Sequence, residues 1–209
     1  MEFYSQHQQD KILYDILFNK KTEPGFFLDI GAYDGVTISN TLFYERFLKW
    51  KGICIEPLPD KFKMLQESRN AICIEGAISS SDGTEDFVIF PEYTDMLCGL
   101  KKTYNENIQN IIEGKIAQNN HSSKTIQVKT YNINNLLSQY NVENIDYVSL
   151  DTEGSELMIL ESWNLDKFPV EAFSIENNNY DKSIYNFMKE KGYKLVTILE
   201  CDEIYKKIR

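Results

Sequence analysis

The chain has 209 residues, of which 42% are hydrophobic and 26% are charged, and its formal net charge at pH 7 is −10. This size and composition are typical of one globular domain and argue against a disordered, fibrous or disulfide-stapled chain. The acidic balance argues against a nucleic-acid partner, and no apolar run approaches the roughly 18–20 residues that span a bilayer.

The predicted elements begin with a helical segment within residues 1–24, where apolar side chains recur at helical spacing between Gln9 and Lys20. Short apolar runs, typical of strands buried on both faces, then alternate with helical stretches, two of which have Asp60 and Asp181 as predicted caps. Core strands are predicted at residues 26–30, 52–55, 71–74, 147–150 and 170–175, a closing pair at 193–199 and 204–208, and further extended segments at 87–90 and 125–131.

Residues 93–123 interrupt this alternation because they are polar, rich in Asn and weakly periodic. We predict that they form an insertion within a single domain spanning residues 1–209, and we expect this insertion to act as a substrate lid. Strands alternating with helices predict a doubly wound, Rossmann-like α/β fold with a mostly parallel sheet. Such sheets bind ligands at the carboxyl ends of their strands, so functional residues are expected directly after strands.

The strongest motif lies between the first strand and the next helix, where residues 29–35 read D-x-G-x-x-x-G. Its glycines permit backbone conformations and a close ligand approach that a Cβ would block. Asp29, at the strand end, suits a ligand with positive charge, such as S-adenosylmethionine (SAM) with its ammonium and sulfonium groups. A dinucleotide would instead require a third glycine and bare amides for its pyrophosphate. Taken alone, the motif also fits an ordinary glycine turn.

Acids end the next two predicted strands as well. Glu56 follows Gly35 by about twenty residues, the spacing at which an acid accepts hydrogen bonds from ribose hydroxyls. Glu75, with Gly76 and Ala77, ends the following strand, where an adenine edge is expected. Each acid alone also fits a solvated strand end, but the three strand ends together predict a nucleoside pocket.

Four blocks of the sequence are distinctive together: FFLDIGAYDG at residues 26–35, SNT at 39–41, WKGICIEP at 50–57 and YVSLDTEGSE at 147–156. In these blocks the sequence resembles the FkbM family of methyltransferases. The resemblance implies a seven-stranded SAM-binding fold with an antiparallel last strand. It also implies methyl transfer, often to a hydroxyl of a sugar, glycan or natural product, with S-adenosylhomocysteine as the second product.

The resemblance and the strand-end motifs together predict the residues that bind the cofactor. These are Gln6, Asp29, Gly31, Ala32, Asp34, Gly35, Ser39, Asn40, Thr41, Glu56, Pro57, Glu75, Gly76, Ala77 and Asp151. The sequence departs from the family at Cys98-Gly99, where related chains would carry Ser-Gly. Since this pair borders the insertion, the departure bears on the substrate more than on the cofactor.

Asp151, Glu153 and Glu176 are the predicted catalytic residues, because they follow strands beside the expected methyl group and an alcohol acceptor must lose a proton. Structural roles stay open, since Asp151 could hold the cofactor's amino group and Glu153 could cap the next helix. Glu176 and Asn177 could orient the acceptor hydroxyl. Glu156 is predicted to be a surface residue or to support the first turn of the helix.

A metal is not predicted, because the three carboxylates would hold Mg²⁺ only if they converge. Both histidines, His7 and His121, are predicted to lie on the surface, with His121 an alternative base because loops can fold over a site. An NAD-linked oxidoreductase and a non-catalytic nucleotide-binding module remain alternatives to a methyltransferase.

The predicted partner is a small-molecule or glycan acceptor. The cysteines form no C-x-x-C pair, so a reducing, cytoplasmic location is expected. The polar N-terminus argues against a secretory signal. The sequence makes no prediction of the oligomeric state.

Overall fold

The computed structural model of the protein describes residues 1–90, 98–104, 123–178 and 180–208. In chain order its strands are β1 Phe26–Ile30, β2 Lys51–Glu56, β3 Ile72–Glu75, β4 Ala77–Ser79, β5 Gly83–Ile89, β6 Gly99–Leu100, β7 Lys124–Asn132, β8 Ile145–Leu150, β9 Val170–Glu176, β10 Tyr193–Leu199 and β11 Asp202–Lys207. Its α-helices are α1 Gln9–Leu13, α2 Leu42–Leu48, α3 Pro59–Ser68, α4 Ile133–Gln139, α5 Glu156–Ser162 and α6 Ser183–Glu190.

The main sheet has seven strands in the order β3-β2-β1-β8-β9-β11-β10. The five strands from β3 to β9 pair in parallel, whereas β11 runs antiparallel to both β9 and β10. The predicted mixed α/β fold with a seven-stranded, mostly parallel sheet is therefore confirmed. β1 lies between β2 and β8, so the residues that follow these three strands meet at one edge of the sheet.

Helices cover both faces of this sheet. Successive side chains of a strand point to opposite faces, so each buried strand contributes to two apolar cores. On one face Leu28 and Ile30 of β1 pack in a core that includes buried residues of α4, α5 and α6. On the other face Phe27 packs with Leu13 of α1 and Leu65 of α3. The parallel strands thus read as continuous apolar runs since both their faces are buried.

A second sheet of four strands, in the order β4-β7-β5-β6, lies beside the first. β5 and β7 are antiparallel partners over their length, and β4 runs parallel to β7. Phe87, Leu100 and Val128 from this sheet form a third apolar cluster together with Leu58 from the loop after β2. The sequence predicts extended segments here but not their assembly into a separate sheet.

One local prediction is wrong in detail. α3 begins at Pro59, whose fixed φ suits the first helical position, so Asp60 lies within the first turn rather than at the cap. The segment predicted to be helical between Gln9 and Lys20 contains α1 and a π-helical turn that continues it at Tyr14–Phe18. Asp181 accepts from the amide of Ser183 at 2.8 Å, the hydrogen bond of a helix cap, and α6 begins at Ser183.

The described helices include none that combines the length and the apolar character needed to cross a membrane.

Candidate active site

One cavity opens at the carboxyl ends of the parallel strands. Most of the predicted site residues line it: Gln6, Asp29, Gly31, Ala32, Ser39, Asn40, Glu56, Pro57, Gly76, Ala77, Asp151, Glu153 and Glu176. Four others, Asp34, Gly35, Thr41 and Glu75, do not line it. None of the described residues that line this cavity is Lys or Arg, whereas six carry carboxyl groups.

The turn after β1 is held against both neighbouring strands. The backbone amides of Gly31 and Ala32 both donate to the Ile55 carbonyl at 3.0 Å. Gly31 has a φ of +89°, and a Cβ at this position would lie 1.7 Å from the Asp151 carbonyl oxygen. Only glycine permits both this left-handed backbone and this close approach. Gly31 therefore lets the turn after β1 pack directly against the loop after β8.

Asp29 is buried in an ion-pair network that the sequence does not predict. Its Oδ2 accepts a 2.5 Å hydrogen bond from Thr41 Oγ1 and lies 3.7 Å from Nη1 of Arg69. Arg69 also donates to Glu45 at 2.9 Å and to Thr41 at 2.9 Å. Burial raises the pKa of Asp29, while Arg69 and Thr41 act to lower it. The acid that the sequence assigns to a cationic ligand therefore already has a cationic neighbour in Arg69.

Glu56 is buried at the end of β2, with both carboxylate oxygens directed back to the backbone. Its Oε2 accepts from the amide of Tyr33 and its Oε1 from the amide of Leu58, both at 2.8 Å. Burial raises the pKa of Glu56 to about 7, although the two amides act to lower it. Each oxygen keeps a lone pair, so the side chain can still accept from a ligand hydroxyl.

Ser39 and Asn40 follow the glycine turn and line the cavity from the side of α2. Ser39 Oγ accepts from the amides of Thr41 and Leu42, which positions the start of the helix. Asn40 donates to Ser149 Oγ at 3.0 Å, which leaves its buried Oδ1 without a hydrogen-bond partner in the described part of the chain. That oxygen is an acceptor available to a ligand.

The predicted site residues that do not line the cavity lie in a turn, in a packing contact or on the surface. Asp34 caps the turn by accepting from Val36 and Thr37; burial acts to raise its pKa, but these hydrogen bonds lower it overall. A Cβ on Gly35 would lie 2.7 Å from atoms of α3 and of Arg69, so this glycine serves packing. Glu75 is exposed and borders a separate groove.

Asp151, Glu153 and Glu176 line the cavity and converge on one another. One carboxylate oxygen from each lies within 4.8 Å of the others. Burial, together with Glu156 and Asp202, raises the pKa of Asp151 to about 7. Burial and the neighbouring Asp151 raise the pKa of Glu176 well above its ordinary value. The sequence identifies the three acids, and the structure supplies the convergence that could not be predicted.

Glu156 clamps the loop that carries this cluster. It lies in the first turn of α5, but it is buried, so its prediction as a surface residue is wrong. Its Oε1 accepts from the amide and hydroxyl of Thr152, both at 2.8 Å, and its Oε2 accepts from the amide of Gly154 at 3.0 Å. Glu153 is not a helix cap; it accepts from Asn178 at 3.0 Å and has a left-handed φ of +56°.

Asn177 does not reach the cavity, in contrast to the prediction that it orients an acceptor. Its amide donates to the Asp181 carbonyl at 3.0 Å and to Glu203 at 2.9 Å, so it fixes the loop after β9.

The N-terminal segment closes one side of the cavity. Gln6 and Gln9 both line it, and Gln9 donates a 2.5 Å hydrogen bond to Asp202 at the start of β11. His7 is half-buried in the same segment and does not line the cavity. The sequence predicts Gln6 but misses Gln9 and Asp202, which lie 193 residues apart.

Part of the predicted insertion borders the cavity. Cys98 and Leu100 line it, and Thr103 Oγ1 lies 3.4 Å from Ser155 Oγ at the start of α5. Residues 91–97 and 105–122, which include His121, lie outside the described residues. The prediction of a substrate lid stays a prediction.

Comparisons with known proteins identify a family and a similar fold. The sequence model of the methyltransferase FkbM domain family matches residues 29–195, which include the glycine turn and the carboxylate cluster. A search among curated proteins gives no significant match. The solved structure of methyltransferase FkbM from Methylobacillus flagellatus KT is similar, with a TM-score of 0.52 and 11% sequence identity.

The similarity to that structure covers 91% of this chain but 46% of the other. The chain thus corresponds to less than half of the length of this relative, and at this identity the likeness concerns the fold alone. The family match covers most of the sequence, from the first strand to β10. The chain therefore belongs to the FkbM methyltransferase domain family.

Proposed function

We propose that the chain is a SAM-dependent methyltransferase with a class I, doubly wound fold, which methylates a hydroxyl of a sugar, a glycan or another small molecule. The observation that carries this proposal is the cavity at the ends of β1, β2 and β8, which carboxyl groups line and no described Lys or Arg lines. This lining suits a cationic nucleoside and disfavours a pyrophosphate. Membership of the family supports methyl transfer as the chemistry.

The residues present fit SAM. Glu56 has lone pairs left for the ribose hydroxyls, and the unpartnered Oδ1 of Asn40 can accept from an ammonium group. Leu58, Ala77 and Ile78 line an apolar part of the cavity, which suits an adenine ring. The turn at residues 29–35 holds two glycines and not the three of a dinucleotide-binding motif, which agrees with the same assignment.

When bound, SAM supplies a methyl group that its sulfonium already activates. The protein must then align the acceptor oxygen with this methyl and exclude water. Asp151, Glu153 and Glu176 line the cavity together, and we assign them to the acceptor. They orient its hydroxyl, and one of them receives its proton as the new bond forms, a role that contributes about 10²–10⁴-fold.

A transfer assay tests the function. The purified chain is incubated with SAM and a panel of sugars, glycans and small alcohols, and mass spectrometry records S-adenosylhomocysteine and any methylated acceptor. We expect a methylated acceptor with the wild type and a loss of about 10²-fold or more in Asp151→Asn. Glu161→Gln, an exposed position on α5, is the matched control and retains full activity. Equal activity of Asp151→Asn and the control would contradict the assignment.

The cytoplasmic location expected from the cysteines belongs to the same proposal, since all four are free thiols.

A further inference from the structure

We propose that Asp151, Glu153 and Glu176 form a site for a hard divalent cation of the Mg²⁺ or Mn²⁺ class at the acceptor end of the cavity. The inference rests on the proposed function and deepens it, because it states how the acceptor oxygen is bound. It replaces the expectation from the sequence that the protein holds no metal.

The geometry of the three carboxylates suits one ion. Their nearest oxygens all lie within 4.8 Å of one another. Oxygen ligands about 2.1 Å from an octahedral ion are about 3 Å apart as neighbours and about 4.2 Å apart as opposite pairs. Small side-chain rotations therefore bring these oxygens onto one centre. Asp151 directly follows β8 and Glu176 ends β9, its parallel neighbour, so the sheet itself sets their separation.

A second observation is the unpartnered oxygen of Glu176. This side chain is only 9% exposed and lines the cavity, yet its Oε2 has no hydrogen-bond partner among the described residues. A buried carboxylate oxygen without a partner is costly, because it has lost its water and gained nothing in return. A cation at the centre of the cluster would satisfy this oxygen.

The charges around the cavity point to the same place. Three other acids line the cavity: Asp29 pairs with Arg69, Glu56 accepts two backbone amides, and Asp202 accepts from Gln9. Within the cluster, Glu153 accepts from Asn178. Only the cluster of Asp151, Glu153 and Glu176 brings three carboxylates together without a described Lys or Arg lining the cavity beside them. The cluster is therefore the part of the cavity lining where three carboxyl groups meet.

The ligand type selects the ion. Carboxylate oxygens without sulfur or imidazole favour Mg²⁺, Mn²⁺ or Ca²⁺ over Zn²⁺ or Cu²⁺. Three protein ligands leave coordination positions for water and for the acceptor oxygen, as is common for Mg²⁺. The ion would polarise the acceptor hydroxyl, and carboxylate oxygens that do not bind it remain to receive the proton.

A Mn²⁺ titration of the full chain tests the site. Chelator-treated protein is titrated with Mn²⁺, and the paramagnetic resonance signal of free Mn²⁺ is followed with and without S-adenosylhomocysteine. We expect one saturable site per chain, from which Mg²⁺ displaces Mn²⁺. Glu176→Gln and Glu153→Gln should each weaken Mn²⁺ binding by about tenfold or more. Glu161→Gln removes the same charge from the exposed face of α5 and should bind as the wild type does.

Two results would overturn the site: no saturable Mn²⁺ binding by the wild type, or unchanged affinity in both Glu176→Gln and Glu153→Gln. Glu153 is only half-buried, so its variant keeps the test valid if Glu176→Gln does not fold. Calorimetry with S-adenosylhomocysteine on the same samples separates the two proposals. Nucleoside binding without Mn²⁺ binding overturns the cation site alone, whereas loss of nucleoside binding overturns the proposed function.

Discussion

Arg69 lies directly after α3, and its guanidinium is buried beneath the cavity against Asp29 and Glu45. No motif marks this residue in the sequence, because its partners lie 24 and 40 residues earlier and meet it only through the packing of α2 and α3 on the sheet. Asp29, by contrast, could be predicted from its place between an apolar run and a glycine turn. Local sequence patterns thus identify Asp29 but not Arg69, the cation that pairs with it.

We predict that Arg69→Met strongly destabilises the fold. The substitution leaves two buried carboxylates without their cation, a change that typically costs about 3–5 kcal/mol. The free energy of unfolding from urea denaturation measures the effect, with Arg46→Met, at an exposed position on α2, as the control. A loss no larger than that of the control would show that Arg69 does not hold this network together.

Glu56 leads to a prediction about pH. Its pKa in the unliganded protein is about 7 because the side chain is buried, and only the ionised form accepts hydrogen bonds from both ribose hydroxyls with full strength. The affinity for S-adenosylhomocysteine should therefore rise between pH 6 and pH 8, by about tenfold if binding requires the ionised form. Calorimetry at a series of pH values measures this dependence.

Glu56→Gln is the companion variant, since glutamine keeps the shape and cannot ionise. We expect weaker binding, by about 10–100-fold for the loss of charge-assisted hydrogen bonds, and a flat response between pH 6 and pH 8. A variant that retains the pH dependence of the wild type would assign that dependence to another group.

At the scale of elements, the turn after β1 depends on one glycine. Gly31→Ala would place a methyl group 1.7 Å from the Asp151 carbonyl oxygen at a φ of +89°, so β1 and the loop after β8 would have to separate. We expect a loss of at least about 3 kcal/mol of stability, or no folded protein. Thermal unfolding followed by circular dichroism measures it.

Gly83→Ala is the matched control for this prediction. Gly83 also has a positive φ, of +159°, but a Cβ there would have no neighbour closer than 3.8 Å. Gly83→Ala carries backbone strain without a clash, so it should lose much less stability than Gly31→Ala. Similar losses in both variants would indicate a general cost of replacing glycine and not the close approach at Gly31.

The elements differ in how far the sequence predicts them. β1, β2, β8 and β9 are continuous apolar runs because both faces are buried, and their boundaries were predicted to within two residues. The second sheet could not be predicted, since β5 and β7 pair across more than thirty intervening residues. The sequence also treats Glu56 and Glu75 alike, but β3 is an edge strand, so Glu75 is exposed where Glu56 is buried.

For the whole molecule, the parallel order of the strands brings together side chains from distant parts of the sequence. Asp29, Glu56 and Asp151 could be predicted to meet because each lies at or directly after the carboxyl end of a neighbouring strand. Gln9 and Asp202 could not, since they lie near the two ends of the chain: α1 carries Gln9, and the closing hairpin of β10 and β11 carries Asp202.

We propose above that this acid-lined cavity binds a SAM-type nucleoside. Calorimetric titration of the full chain with S-adenosylhomocysteine, beside a parallel titration with NADH, measures that binding. We expect one S-adenosylhomocysteine per chain, weaker binding to Glu56→Gln, and no heat of binding with NADH. Saturable binding of NADH, with no heat from S-adenosylhomocysteine at millimolar concentration, would contradict it.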